Sequence, residues 1–176
     1  MEKIISVRPL TNDYIDTYIE VGHKAYTQHY LHLWKNSDPT PYFEKSFTKP
    51  VLERDMDNFN VGLYIIYHKD LPVGILKLIY NAALHPYTDN AALLLQKIYI
   101  LNEFSGVGIG KKVMDYVLNH AEKRNKKIVW LQSMAIGPAL RFYLRNEFEI
   151  FKKCSHPSLQ VLKSEREMLV LVKHLD

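Results

Sequence analysis

Apolar and polar residues follow two rhythms along this chain, and each change of rhythm marks an element. Thr11, Asn12 and Asp13 offer oxygens for a helix start. Behind them "YIDTYIEVGHKAYTQHYLHLW" carries apolar residues at helical spacing. Gly22 or Gln28 is expected to break that stretch into two helices. "NSDPTPYFEKSFT", holding Pro39 and Pro41, predicts a loop, and "PVLERDMDNF" a short helix opened by Pro50. "GLYIIYHKD" and "LPVGILKLIYNAAL" predict two strands joined by a tight turn around Lys69–Pro72, with "HPYTDN" a further loop.

"AALLLQKIYIL" is apolar at nearly every position, the pattern of a strand buried on both faces. A glycine-rich turn follows, then a helix with Ile109, Val113, Val117 and Ala121 on one stripe and Lys112, Asp115, Asn119 and Lys123 on another. "KIVWLQS" predicts a strand and "GPALRFYLRN" a short helix with Pro138 in its first turn. "EFEIFKK" and "EREMLVLVKHL" predict two closing strands around the loop "CSHPSLQVLKS". The final strand is either an edge open to a homodimer partner or an internal one. The order of elements implies a mixed α/β (α+β) sheet with helices packed on it.

Composition narrows the class. The 176 residues support one sizeable core, so one domain over 1–176 is expected. No window approaches the ~18 uninterrupted apolar residues of a membrane span, and no membrane partner is expected. "MEKIISVRPLTNDY" lacks the basic and apolar regions of a secretory signal, and the single cysteine, Cys154, fits a reducing compartment. A cytoplasmic protein is the expectation. The net charge of +4 forms no basic tail. Its densest run, "EKRNKK", falls where a helix ends, where cations offset the negative terminus. No aromatics alternate with those cations, so no nucleic-acid partner is expected. The positive sign suits a ligand carrying several phosphates.

Three of the seven glycines stand at Gly106, Gly108 and Gly110, between a buried strand and a helix start. Glycine tolerates backbone angles a Cβ forbids and lets a ligand approach the main chain. A bend of N–H groups facing the positive helix end can hold an anion such as a diphosphate. The plainer alternative is a turn with no ligand. The nucleotide loop GxxxxGK[ST] fails here, because Lys112 follows Lys111, and the dinucleotide pattern GxGxxG fails because the spacing is GxGxG.

"YILNEFSGVGIGKKVMDYV" resembles the coenzyme A loop of the GNAT N-acetyltransferases, roughly [QR]-x-x-G-x-[GA] between a central strand and a helix. Gly108 and Gly110 match its small positions, while Ser105 stands where Gln or Arg is preferred. "ALRFYLRNEF" is similar to the family's second motif through Ala139, Phe142, Tyr143 and Phe148. Ile136 replaces a frequent Asn there and Glu147 a frequent Gly. The texture is most similar to bacterial members that acetylate polyamines and other small amines. The resemblance implies the acyl-CoA N-acyltransferase fold: a mixed central sheet, splayed middle strands and helices on both faces. It implies acetyl-CoA as co-substrate and a small-molecule amine as acceptor, with no metal. Ser105, Gly106, Val107, Gly108, Ile109, Gly110 and Lys111 would bind the diphosphate. Ile98, Tyr99 and Ile100 would hold the pantetheine arm by strand main chain, and Tyr143 would be the catalytic acid.

Acyl transfer to an amine poses two proton problems. A free alkyl amine has a pKa of about 10.4, so freeing it near neutrality costs about 4–5 kcal/mol, supplied by a base or by desolvation. The departing thiolate needs a proton, and a tyrosine can give one uphill by only about 2 kcal/mol. The strand position where relatives often carry Glu is Gln96, and an amide takes no proton. His29, His32, Glu44 or a water relay stay open as the base. His29 and His32 have metal-pair spacing without acidic or thiol partners nearby. Glu44, Glu53, Asp55 and Asp57, mixed with lysines, leave a polyamine acceptor open. Tyr26, Tyr30, Trp34, Tyr42 and Phe43 suit an amino acid or aromatic amine, or ordinary packing. Protein N-terminal or lysine acetylation, and a non-catalytic acyl-CoA sensor, are the alternative functions.

Overall fold

A computed structural model describes residues 4–176. Its strands are β1 (Ile5–Pro9), β2 (Val61–His68), β3 (Leu71–Ile79), β4 (Ala92–Ile100), β5 (Ile128–Met134), β6 (Glu149–Ser155) and β7 (Glu167–His174). They form one sheet in the order β1-β2-β3-β4-β5-β7-β6. Every neighbouring pair is antiparallel except β4 and β5. The C-terminal strand β7 is therefore internal, and β6 takes the edge.

The helices are α1 (Ile15–Tyr30), α2 (Thr40–Ser46), α3 (Lys49–Met56), α4 (Ile109–Lys123) and α5 (Pro138–Arg145). The apolar stripe of α4 and Tyr143 of α5 pack with Val73, Leu93 and Leu171 on one face of the sheet. Tyr18 and Val21 of α1 and Leu52 of α3 pack with Ile65 and Ile75 on the other. No helix of the described residues is long and apolar enough to cross a membrane.

Two local expectations are corrected, and one further element appears. The break expected at Gly22 or Gln28 does not occur: α1 runs through both, and a Cβ at Gly22 would lie 2.5 Å from the Phe47 ring. Glycine lets that ring lie against the helix backbone. The helix ends at Tyr30 in a 3-10 turn, Leu31–Leu33. The stretch expected to be a loop holds α2, with Pro41 in the first turn, where its missing N–H costs nothing. An N-terminal strand, β1, adds to β2 without having been expected.

The middle of the sheet parts. β4 and β5 pair only at Ala92↔Ile128, Leu93↔Val129 and Leu94↔Trp130. Beyond that, β5 stays with β7 as far as Met134↔Met168, and β4 stays with β3 as far as Gly74↔Ile100. Each strand keeps its outer neighbour and loses its inner one. A bulge accompanies the divergence, for Lys77 faces Lys97 while Leu78 faces Leu95, leaving Gln96 as the extra residue. Through that extra residue, Leu93, Leu95, Ile98 and Ile100 all join the α4 core, while Tyr99 joins the α1 core. Lys97, two residues before Tyr99, shares its side of the sheet. Burial on both faces consequently holds only for the first half of β4, and Lys97 through Ile100 are half-buried.

Candidate functional site

After β4 a 3-10 turn, Asn102–Phe104, leads into the glycine bend. Gly106 has φ 77° and Gly108 φ 85°, the left-handed region where a Cβ is strained. Space beside both is open, with nothing within 4 Å of where a Cβ would sit. Gly110 serves packing instead, since its Cβ position lies 3.1 Å from Phe142 and the bare backbone lets α4 approach α5 closely. Gly108 caps α4 without any side-chain acceptor. Among the described residues, the amides from Gly106 to Lys111 donate to no main-chain acceptor. They are consecutive donors at the positive end of a fifteen-residue helix. The Lys111 ammonium is drawn to Asp115 one turn on, so what Lys111 offers at the bend is its N–H.

A cleft of about 320 Å³ lies where β4 and β5 separate, lined by β4 from Leu95 to Tyr99 and by Gln132, Ser133 and Met134 of β5. Ala139 and Tyr143 reach it from α5, and Tyr26, Tyr30 and Tyr42 from the α1 side. The aromatic wall is fixed by contacts: Tyr26 stacks on Tyr42 at 4.4 Å, and the Tyr42 and Tyr99 hydroxyls are 2.6 Å apart. Trp34 stands behind, its indole N–H donating to the Tyr26 hydroxyl at 2.9 Å. Phe43 stacks on His23 at 4.1 Å and stays outside the lining. A wider hollow of about 570 Å³ beside Arg54 and Phe59 opens on the surface and shares no residue with the bend, β4 or α5.

Tyr143 lies in the lining, as expected of it, with its ring 5.9 Å from Phe148. Burial, with nearby Tyr30 adding, raises its hydroxyl pKa far above the ordinary 10.0. Across the physiological range it therefore stays protonated, and among the described residues it has no hydrogen-bond acceptor. Ser105 is exposed at the bend. Ile136 is 77% exposed before α5. Glu147 sits at φ 64°, which explains the family's preference for glycine there, and Lys173 holds its carboxylate at 2.7 Å.

None of the proposed bases lies in the lining. His29 donates from Nε2 to the Ile100 carbonyl at 2.8 Å, and His32 and Glu44 are exposed. Two titratable residues that sequence reasoning missed do line the cleft: Lys97 and His156. Burial lowers the Lys97 pKa to about 7, with repulsion from Lys77 adding and Asp55 opposing. Its ammonium nitrogen lies 5.5 Å from the Tyr42 ring centroid. The signal was visible: a lysine, next to Gln96, inside a largely apolar strand. His156 comes from the β6–β7 loop, and the Ser158 N–H donates to its Nδ1 at 3.1 Å. That bond keeps the ring proton on Nε2 and, with burial, holds the imidazole neutral; its pKa is lowered. No local pattern in the sequence marked it.

The acetyltransferase (GNAT) domain family matches residues 60–150. An uncharacterized N-acetyltransferase of Methanocaldococcus jannaschii is 26% identical over 149 residues, 84% of this chain. The match spans 62% of that relative's length. Among solved structures, PaiA N-acetyltransferase from Thermoplasma acidophilum in complex with coenzyme A gives a TM-score of 0.76 at 16% identity, covering 97% of this chain and 99% of that one. Naa50 of Arabidopsis thaliana, in complex with the bisubstrate analogue CoA-Ac-MVNAL, gives 0.69 at 16% identity, covering 98% and 100%. At these identities the likeness is one of fold.

Proposed function

The chain belongs to the GNAT acetyltransferase family, and we propose that it transfers an acetyl group from acetyl-CoA to a primary amine of a small molecule. The observation carrying this is the run of unpartnered amides from Gly106 to Lys111, beside an open bend and a parted sheet. These residues fit coenzyme A: a diphosphate needs donors without bulk, and an extended pantetheine arm needs a strand edge lacking a neighbour. The bend amides would take the diphosphate, and the inner edge of Ile98–Ile100 the arm. Acetyl-CoA would supply the thioester carbonyl on which the amine acts.

The protein's own part in the chemistry follows from the cleft. Tyr143 carries a proton on a hydroxyl that no acceptor among the described residues engages, and would release it toward the departing sulfur. The aromatic wall excludes water from the amine, which lowers the cost of freeing its lone pair. The raised Tyr143 pKa keeps that acid loaded up to alkaline pH and makes its transfer to sulfur more uphill than that of an ordinary tyrosine.

The test is thiol release from acetyl-CoA across a panel of diamines, amino acids and aromatic amines, preceded by calorimetry with coenzyme A. Binding followed by turnover with a small amine is expected. Binding without turnover would replace the enzyme by a sensor, and failure to bind would reject both.

A further inference from the structure

The cleft has an unbalanced charge. Lys77 on β3 and Lys97 on β4 are register partners, placing two lysines side by side on the face covered by α1 and α3; Lys97 is partly protonated near neutrality, and an anion beside it would hold it charged. Asp55 of α3 neutralises one of them, lying 2.5 Å from the Lys77 ammonium, with both side chains largely buried. Lys97 has no carboxylate within ion-pair distance among the described residues, and it is the one that lines the cleft.

The remaining lining adds donors and no counter-ion. The ring proton of His156 sits on Nε2, because Nδ1 is occupied by the Ser158 N–H. Tyr30 and Tyr143 carry hydroxyls, and Gln96 and Gln132 carry amides. Among the described residues neither Asp nor Glu lines the cleft. A polycation would find no anion there and would meet Lys97 instead.

On this ground, and resting on the acetyltransferase reading above, we infer that the acceptor is a small amine bearing a carboxylate, with Lys97 as the residue that selects it. An acceptor carboxylate would complete a set of two cations and two anions across β3, β4 and α3. The aromatic wall would enclose the carbon skeleton between the two charged ends of such a molecule. The diphosphate site is not a competing partner for Lys97, since the bend leads into α4, which packs on the opposite face of the sheet.

The experiment compares free amino acids, α and ω, each with its own carboxamide, alongside putrescine and spermidine. Thiol release gives kcat/KM for each. At least one acid is expected to exceed its carboxamide by about 10- to 100-fold, the worth of a hydrogen bond to a charged group. An α-carboxamide has the more readily deprotonated amine, so a bare basicity effect would run the other way. In Lys97→Met the ratio collapses toward unity. Carboxamides or diamines turned over as well as the acids by the unaltered protein would overturn the inference, whatever the variant does, and leave acetyl transfer standing.

A second readout needs no turnover. Calorimetry of N-acetyl amino acids against their N-acetyl carboxamides, with the protein saturated by coenzyme A, should show tighter binding of the acid, lost in Lys97→Met. If no amine is acetylated, the enzymatic reading falls alone and this comparison still decides on Lys97. Equal binding of acid and carboxamide overturns the inference.

Discussion

The glycine bend and the acceptor cleft both adjoin β4, and they are made from opposite materials. The bend is main chain: two left-handed glycines, a helix start and a row of N–H groups, contributed by neighbouring residues. The cleft is side chains: Tyr26, Tyr42, Lys97, Gln132, Tyr143 and His156, brought together from six separate elements and loops. A site made of backbone must serve a feature common to all its ligands, which on the proposed reading would be a diphosphate. A site made of side chains can be altered one residue at a time, and there the protein's own specificity would lie.

Gly108→Val should break the bend most severely. At φ 85° a branched side chain is strained, and it would stand in the open space of the bend. Coenzyme A affinity by calorimetry should fall about 100-fold or more. Gly110→Ala is the control within the same bend: it presses Phe142 at 3.1 Å, so it should cost about 1 kcal/mol of stability with a much smaller effect on affinity. Equal losses of affinity would remove the distinction between the two glycines.

Tyr143→Phe works on the cleft side. It should lower kcat by about 100-fold while coenzyme A affinity stays within a few-fold, because on the proposed reading the lost group would act on the leaving sulfur. Unchanged turnover would take Tyr143 out of the mechanism.

The smallest effect concerns stability against pH. Lys97 has a pKa of about 7 in the folded protein and an ordinary 10.5 unfolded. Between these values the unfolded chain binds the extra proton, so stability rises with pH across that window. Below pH 7 both states are protonated and the cost of burying the cation is felt in full. Lys97→Met should therefore gain on the order of 1 kcal/mol at pH 7 and flatten the rise, read as urea midpoints from pH 7 to 10. The charged neighbours, Lys77 and Asp55, form their own close pair at 2.5 Å. A rise of equal slope in the variant would place its source elsewhere.

The same contrast explains what the sequence disclosed. The bend was legible because left-handed angles ask for glycine, and Gly106 and Gly108 stand where the chain turns into α4. Strand and helix types over β2 to α5 followed from local periodicity. Elsewhere the local signal ran against a distant contact. Gly22 looks like a break until Phe47 is seen against it, and Pro41 looks like a loop until it is placed in the first turn of α2. Lys97 passes in the sequence for part of a buried strand. Its meaning depends on Asp55, forty-two residues earlier, which neutralises Lys77 and leaves Lys97 without a counter-ion. His156 owes its fixed tautomer to a loop amide two residues away and its position to the β6–β7 loop.

The most direct measurement follows the backbone amide resonances of the bend during titration with coenzyme A and, separately, with pantetheine, which lacks the diphosphate. Coenzyme A should shift the N–H signals of Gly106 through Lys111 strongly downfield, and pantetheine should leave them nearly in place while perturbing Ile98 to Ile100. Bend amides that stay unmoved by saturating coenzyme A would contradict the account at its base.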